Sequence, residues 1–192
     1  MWLLKKRSRG LYLCSVMLLT MLIASSAIAY ADSGTAKVAV KGGHLTESNA
    51  TNHVSLHVSK HMRLASYSLP ITVTDARGSG NGWKLSITSK QFIDTDNDKD
   101  KDVLPLNASQ ITQVSMSCSV HSTCTLPINS ISYPLLVPAG STPPPPVKFF
   151  NAATGSGLGV FGLIMMVNVT IPANAEPGSY ISTITLAVAN GP

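Results

Sequence analysis

Apolar and polar residues alternate with a period of two through much of the chain beyond residue 36, the spacing that gives a strand one buried and one solvated face. The pattern predicts strands at Lys37–Lys41, His53–Ser59, Leu69–Thr74, Trp83–Ser89, Ile111–Cys118, Ile131–Val137, Leu158–Ile171 and Tyr180–Val188. Turn-forming clusters separate them: Lys41-Gly42-Gly43, Ala76–Gly82, Asp94–Asp102, Pro138–Pro146 and Ala173–Gly178. No long segment repeats apolar residues at helical spacing. Short strands joined by turns predict an all-β fold, a single Ig-like or Greek-key β-sandwich of roughly eight to ten strands.

Side-chain direction follows from the same period. Trp83, Leu85 and Ile87 share one face of their strand, opposite Lys84, Ser86 and Thr88. Tyr180, Ile184, Leu186 and Val188 share a face opposite Thr183 and Thr185. Trp83 and Leu186 thus read as core residues of facing sheets, and a sugar-stacking platform is the alternative reading. Leu158–Ile171 is the most hydrophobic segment after the N-terminal region. Asn168 and two glycines interrupt it, so a buried strand bent near Gly162 is expected rather than a membrane span. Pro143–Pro146 is a stiff extended run, read as a rigid surface loop, with a docking motif for an aromatic groove as the alternative.

The N-terminal region breaks the alternation. Lys5, Lys6, Arg7 and Arg9 precede an apolar stretch from Leu11 to about Ile28, and Ala29-Tyr30-Ala31 follows. This order predicts a secretory signal peptide over residues 1–31, cleaved after Ala31 or, alternatively, after Ala29, leaving a domain over 32–192. The whole chain carries 14 Lys and Arg against 9 Asp and Glu. The signal takes four of the basic residues and none of the acidic ones, which leaves ten against nine and a net charge of +1. The basic isoelectric point therefore belongs to the signal, and no nucleic-acid footprint remains. No transmembrane segment is expected in the mature chain, nor a Leu-Pro-x-Thr-Gly sorting signal, and the expected location is extracellular.

About 160 residues suffice for one domain with its own core. They include two cysteines, Cys118 and Cys124, flanking five residues. In a straight strand their Cα atoms would lie about 20 Å apart, so a bond requires the chain to reverse between them. In an exported protein that pair predicts a disulfide.

Candidate chemistry is sparse. Asp94, Asp96, Asp98, Asp100 and Asp102 alternate in one loop, as oxygen ligands for calcium do. Lys99 stands where an EF-hand loop needs Gly and Pro105 where it needs Glu, so a solvated hairpin loop competes with a calcium site. His53, His57 and His61 recur every fourth residue, but on a strand His53 and His57 sit about 13 Å apart, too far for one metal. Cys118, His121 and Cys124 would give a zinc ion three ligands and no fourth. No nucleophile–base pair stands out, and Gly78-Ser79-Gly80 and Gly155-Ser156-Gly157 read as turns rather than nucleophile elbows. The expectation is a non-catalytic protein without a cofactor, unless the acidic loop takes calcium.

Two segments resemble the WxL domain, a cell-surface module of Gram-positive and related bacteria. Pro70–Ile87, with Asp75-Ala-Arg77-Gly78 followed by Gly82-Trp83-Lys84-Leu85, looks like that family's strand, turn and Gly-Trp-x-Leu strand. Tyr180–Pro192 is similar to its closing pattern, and Val169–Gly178 to the strand and turn before it. The pattern departs once: the second motif's Trp is Leu186 here and its Leu is Val188. The resemblance spans roughly Ala36 to Pro192. It implies non-covalent attachment to peptidoglycan or wall glycan, and contact with other surface proteins in some members. Asp75 and Arg77 are expected to order the turn before Trp83 with their charges facing water.

Overall fold

Burial in the strand that begins at Trp83 follows the alternation: Trp83, Leu85 and Ile87 are buried while Lys84 and Ser86 are partly exposed. The computed structural model describes residues 43–47, 51–96 and 102–192. Eleven strands occur among them, in chain order β1 Leu45–Glu47, β2 Thr51–Val58, β3 Leu64–Asp75, β4 Trp83–Lys90, β5 Ile93–Asp94, β6 Ser109–Cys118, β7 Leu135–Leu136, β8 Ala139–Gly140, β9 Val147–Ala152, β10 Gly159–Thr170 and β11 Gly178–Asn190. The described residues contain no helix.

The strands form two sheets. One runs β1-β3-β10-β6-β7 and is antiparallel throughout. In the other, β11 lies between β2 and β4, with β5 also paired to β11. β9 and β8 pair with β4, and the β4–β8 contact is parallel. The sheets face one another across a single apolar core drawn from both, including Ile71, Val73, Phe161, Leu163 and Met165 from the first and Leu56, Leu85, Ile87, Phe150 and Ile184 from the second. The fold is all-β, a two-sheet sandwich.

β2, β4, β6, β10 and β11 follow the expected ranges to within two residues at each end. β3 begins at Leu64 rather than Leu69 and runs through Pro70. Pro70 stands opposite Ile164 of β10, and β1 pairs with β3 over Val73–Asp75. The irregularity in β10 falls at Met166–Val167, where the register against β6 shifts, and not at Gly162.

The expected strand Ile131–Val137 shrinks to β7. Side chains capture the backbone before it. Ile128 N–H donates to Ser156 Oγ at 3.0 Å, and Ser130 N–H donates to Asn151 Oδ1 at 3.0 Å. Asn151 N–H in turn donates to Asn129 Oδ1 at 3.0 Å. Asn151 belongs to β9, which the alternation missed, because Phe149, Phe150, Asn151 and Ala152 are buried in succession. The expected strand at Lys37–Lys41 and the signal over 1–31 lie outside the described residues. Pro143–Pro146 connects β8 to β9 over the sheet, where Thr88 Oγ1 donates to the Pro144 carbonyl at 2.7 Å.

Candidate functional site

β3 ends one sheet at Asp75, and β4 starts the other at Trp83. The turn between them carries the motif residues. Asp75 has a fully buried side chain, and Arg77 grips it with both arms of its fork: Nε reaches Oδ1 and Nη2 reaches Oδ2, each at 2.8 Å. The Arg77 backbone N–H also donates to Oδ1, at 3.1 Å. The same guanidinium donates through Nη2 to the Gly82 carbonyl at 2.8 Å and through Nη1 to Asn190 Oδ1 at 2.6 Å. Asn190 is the last residue of β11. One side chain therefore ties the end of β3 to the ends of β4 and β11 in the opposite sheet.

These charges do not both face water, as the sequence had led us to expect. Asp75 is 2% exposed, because the turn folds over it and Arg77 replaces its water with donors. The Arg77 hydrogen bonds hold its carboxyl below the usual carboxylate range, against the opposing effect of burial. Arg77 is correspondingly held more firmly protonated by the bond to Asp75. Gly78, in the same turn, takes a left-handed backbone conformation with φ of 68°.

Trp83 is completely buried. Its ring stacks on Phe150 of β9 with centroids 5.8 Å apart and meets Phe161 of β10, in the facing sheet, at 6.3 Å. Its Nε1–H donates to the Gly157 carbonyl at 2.8 Å. Gly157 has a φ of 72°, and a Cβ there would stand 2.7 Å from Trp83 Nε1, so the indole fits only against glycine.

Leu85, Tyr180 and Leu186 are buried as well. Leu186 pairs with Ile87 across β11 and β4, so Trp83 and Leu186 sit on adjacent strands of one sheet and not on facing sheets. The two motifs lie side by side because β4 and β11 pair directly. Tyr180 donates its hydroxyl to the Glu176 carbonyl at 3.0 Å, fastening the turn before β11. Burial, with the carboxylates of Asp102, Asp94 and Glu176 nearby, pushes its ionisation up.

Cys118 and Cys124 are joined by a disulfide, with Cα atoms 5.8 Å apart. The chain reverses between them at His121, whose φ is 63°, and Ser122 N–H donates to the Ser119 carbonyl at 3.1 Å. Beside the bridge lies a shallow open depression lined by Thr123, Cys124, Thr125, Leu158 and Gly159. Its lining offers no acid–base group.

The acidic loop is closed by Asp94 N–H donating to the Asp102 carbonyl at 2.8 Å. Asp94 Oδ1 accepts the Asp96 N–H at 3.0 Å, and Asp96 Oδ2 accepts the Ser179 N–H at 2.8 Å. Asp98 and Asp100 lie outside the described residues. Among the described residues no three His, Cys, Asp or Glu side chains are grouped to hold a metal. His53 and His57 are exposed on β2, pointing away from the core.

Sequence reasoning missed Asn190, Gly157 and Asn151. The first is 113 residues from Arg77, and no local pattern links them. Gly157 carried a signal, as part of Gly155-Ser-Gly157, but one shared with any turn.

No helix among the described residues is long and apolar enough to cross a membrane. No curated protein and no solved structure matches the chain at a significant level. The family model for the WxL domain, described as a surface cell wall-binding domain, matches residues 26–191, nearly the whole chain. Its match covers the Arg77 clamp, the buried Trp83 and the strand β11 that joins them. The chain belongs to the WxL domain family and is a protein of the cell surface and wall.

Proposed function

We propose that this chain is exported through a cleaved signal over residues 1–31 and acts as a non-catalytic module that holds to the wall non-covalently, through peptidoglycan or a wall glycan. The family match over residues 26–191 carries this reading. The burial of Trp83 and Leu186 refines it. Both motif positions are spent on the core and the clamp, so wall contact falls to the outward sheet faces and loops. Replacing the family's second Trp by Leu186 is then a change of packing and leaves wall contact intact.

Co-sedimentation of the purified protein with isolated sacculi tests this. Retention above that of an unrelated sandwich domain is expected, and equal retention rejects the reading. A second reading, a structural subunit packed against other surface proteins, is favoured by Ile164 and Met166. These are 49% and 38% exposed on the outward face of β10. Cross-linking on intact cells separates the two, since a packed subunit gives discrete adducts with other proteins.

A further inference from the structure

A strand at the margin of a sheet leaves backbone donors and acceptors unpaired, and folded proteins usually blunt such edges with charge, proline or a short covering strand. β6 carries little of this protection. β7 pairs with it only at Gln110 and Ile111, so its outer edge is bare from Thr112 to Cys118. Among the described residues, β10 is the only segment that pairs with the backbone of Gln113–Ser117. The bare stretch reads Thr-Gln-Val-Ser-Met-Ser-Cys, without charge, proline or glycine. The core behind it is also unfinished. Met116 stands opposite buried Leu163 and Val114 opposite buried Met165, which puts both on the inward side, yet Met116 is 37% exposed and Val114 partly so. On β2, the terminal strand of the other sheet, inward Val54, Leu56 and Val58 are all buried.

The surroundings of this edge are apolar and uncharged. Of the twelve large apolar side chains exposed among the described residues, Met116, Val120, Leu126, Ile128 and Leu136 belong to β6 or to the segment that follows it. That segment, residues 119–136, is tied to β6 at both ends, by the Cys118–Cys124 bridge and by the Leu135–Ile111 pair. From Val103 to Val147 the chain has no Lys, Arg, Asp or Glu.

We infer that β6 pairs with β6 of a second copy of this chain, antiparallel across a two-fold axis, joining two five-stranded sheets into one. An edge is self-complementary in that arrangement, since each copy offers the other the same donors and acceptors. The absence of charge lets the surfaces meet without repulsion and without burying an unpaired ion. The register follows from the neighbours. β7 fills the place opposite Ile111, and Thr112 is the extra residue where the β6–β10 register shifts, so the second strand lies toward the Cys118 end. With Met116 on the axis, Met116 faces Met116 of the partner subunit and Val114 faces Cys118 of the partner subunit, so inward side chains cover inward side chains. A standard interface takes about 20–30 residues a side. The seven residues Thr112–Cys118 fall short of that alone and reach it with the uncharged segment 119–136 beside them.

Sedimentation equilibrium of the purified protein is expected to show monomer and dimer in exchange, with a dissociation constant on the order of 10 μM. Met116→Lys sets two ammonium groups against each other on the axis and is expected to weaken the dimer on the order of tenfold or more. Met116→Leu keeps the apolar contact and should dimerise as wild type does. Met116→Cys is expected to yield a covalent dimer with a short bis-maleimide, whereas Ser55→Cys, exposed on β2, is not. Amide exchange of the unaltered protein reads the same edge without a variant, since protection at Gln113–Ser117 should fall as the dimer is diluted. A monomer at every concentration up to about 1 mM overturns the inference. A dimer that Met116→Lys leaves intact, or one whose dissociation leaves exchange at Gln113–Ser117 unchanged, overturns it too, because the contact then lies on another face.

Discussion

Arg77 Nη1 lies 2.6 Å from Asn190 Oδ1, joining residues 113 positions apart, while the same guanidinium is paired bidentately with buried Asp75. The turn between β3 and β4 therefore does more than reverse direction. It latches one end of the sandwich shut, with both sheets attached to a single cation. Arg77→Ala leaves the Asp75 carboxylate buried and unpaired, and a loss of about 3 kcal/mol is expected in urea or guanidinium unfolding. Arg77→Lys keeps the charge but cannot reach Asp75, Gly82 and Asn190 together, so it should recover only part of that loss. Equal stability of the Ala variant and wild type would show that the latch contributes nothing.

The same pair fixes an acid limb. Asp75 titrates below its usual value in the folded protein, so the unfolded chain takes up its proton first as pH falls. Its contribution is fully present above the unfolded carboxyl value of about 3.9 and is lost as pH drops through the lower folded value. Asp75→Asn should be less stable at neutral pH and show a flatter decline between about pH 4 and the folded value. Unfolding free energies across that range check it, and parallel curves for the two proteins would reject it.

Tyr67 presents the opposite situation. Its hydroxyl is buried with no hydrogen-bond partner among the described residues, and burial drives its ionisation well above the usual phenol value. An unsatisfied buried hydroxyl costs roughly 1–3 kcal/mol. Tyr67→Phe is expected to stabilise the protein by about 1 kcal/mol at neutral pH. A folded pKa above the unfolded one gives stability that is complete below about pH 10 and lost as pH rises through the folded value. The Phe variant should therefore also resist alkaline unfolding longer. Thermal melts at neutral and alkaline pH measure both effects, and a destabilised variant would mean that the hydroxyl has a partner.

Much of this fold was legible because one face of each long strand is buried. β2, β10 and β11 alternate over most of their length and β4 does so from Trp83 to Ile87, and a period-two pattern has one reading when a core waits on one side. β9 was not legible for the converse reason: four consecutive buried residues, with Asn151 turned to the backbone of the preceding segment, have no period. Ile131–Val137 looked like a strand because its apolar residues were counted without the asparagine and serine groups that compete for its backbone. At the motif, the sequence placed Trp83 and Leu186 in the core correctly but in facing sheets, because strand order is a long-range property. The burial of Asp75 was hidden in the same way. Its shield is completed by Asn190, at the other end of the domain.

Trp83 and Gly157 offer the sharpest separation of architecture from wall contact. The indole fills the space between Phe150 and Phe161 and donates to the Gly157 carbonyl. Trp83→Phe removes that donor and part of the ring, leaves a buried carbonyl unpaired, and should cost about 2–3 kcal/mol. Gly157→Ala should be comparably damaging although it adds only a methyl, since the new Cβ would sit 2.7 Å from Nε1 at a φ of 72°. The fraction of each variant that remains folded should still co-sediment with sacculi as wild type does, because neither residue reaches the surface. Denaturant unfolding combined with sedimentation of the folded fraction reads both. Loss of wall retention in a fully folded Trp83→Phe protein would return the indole to the binding site and overturn its assignment to the core.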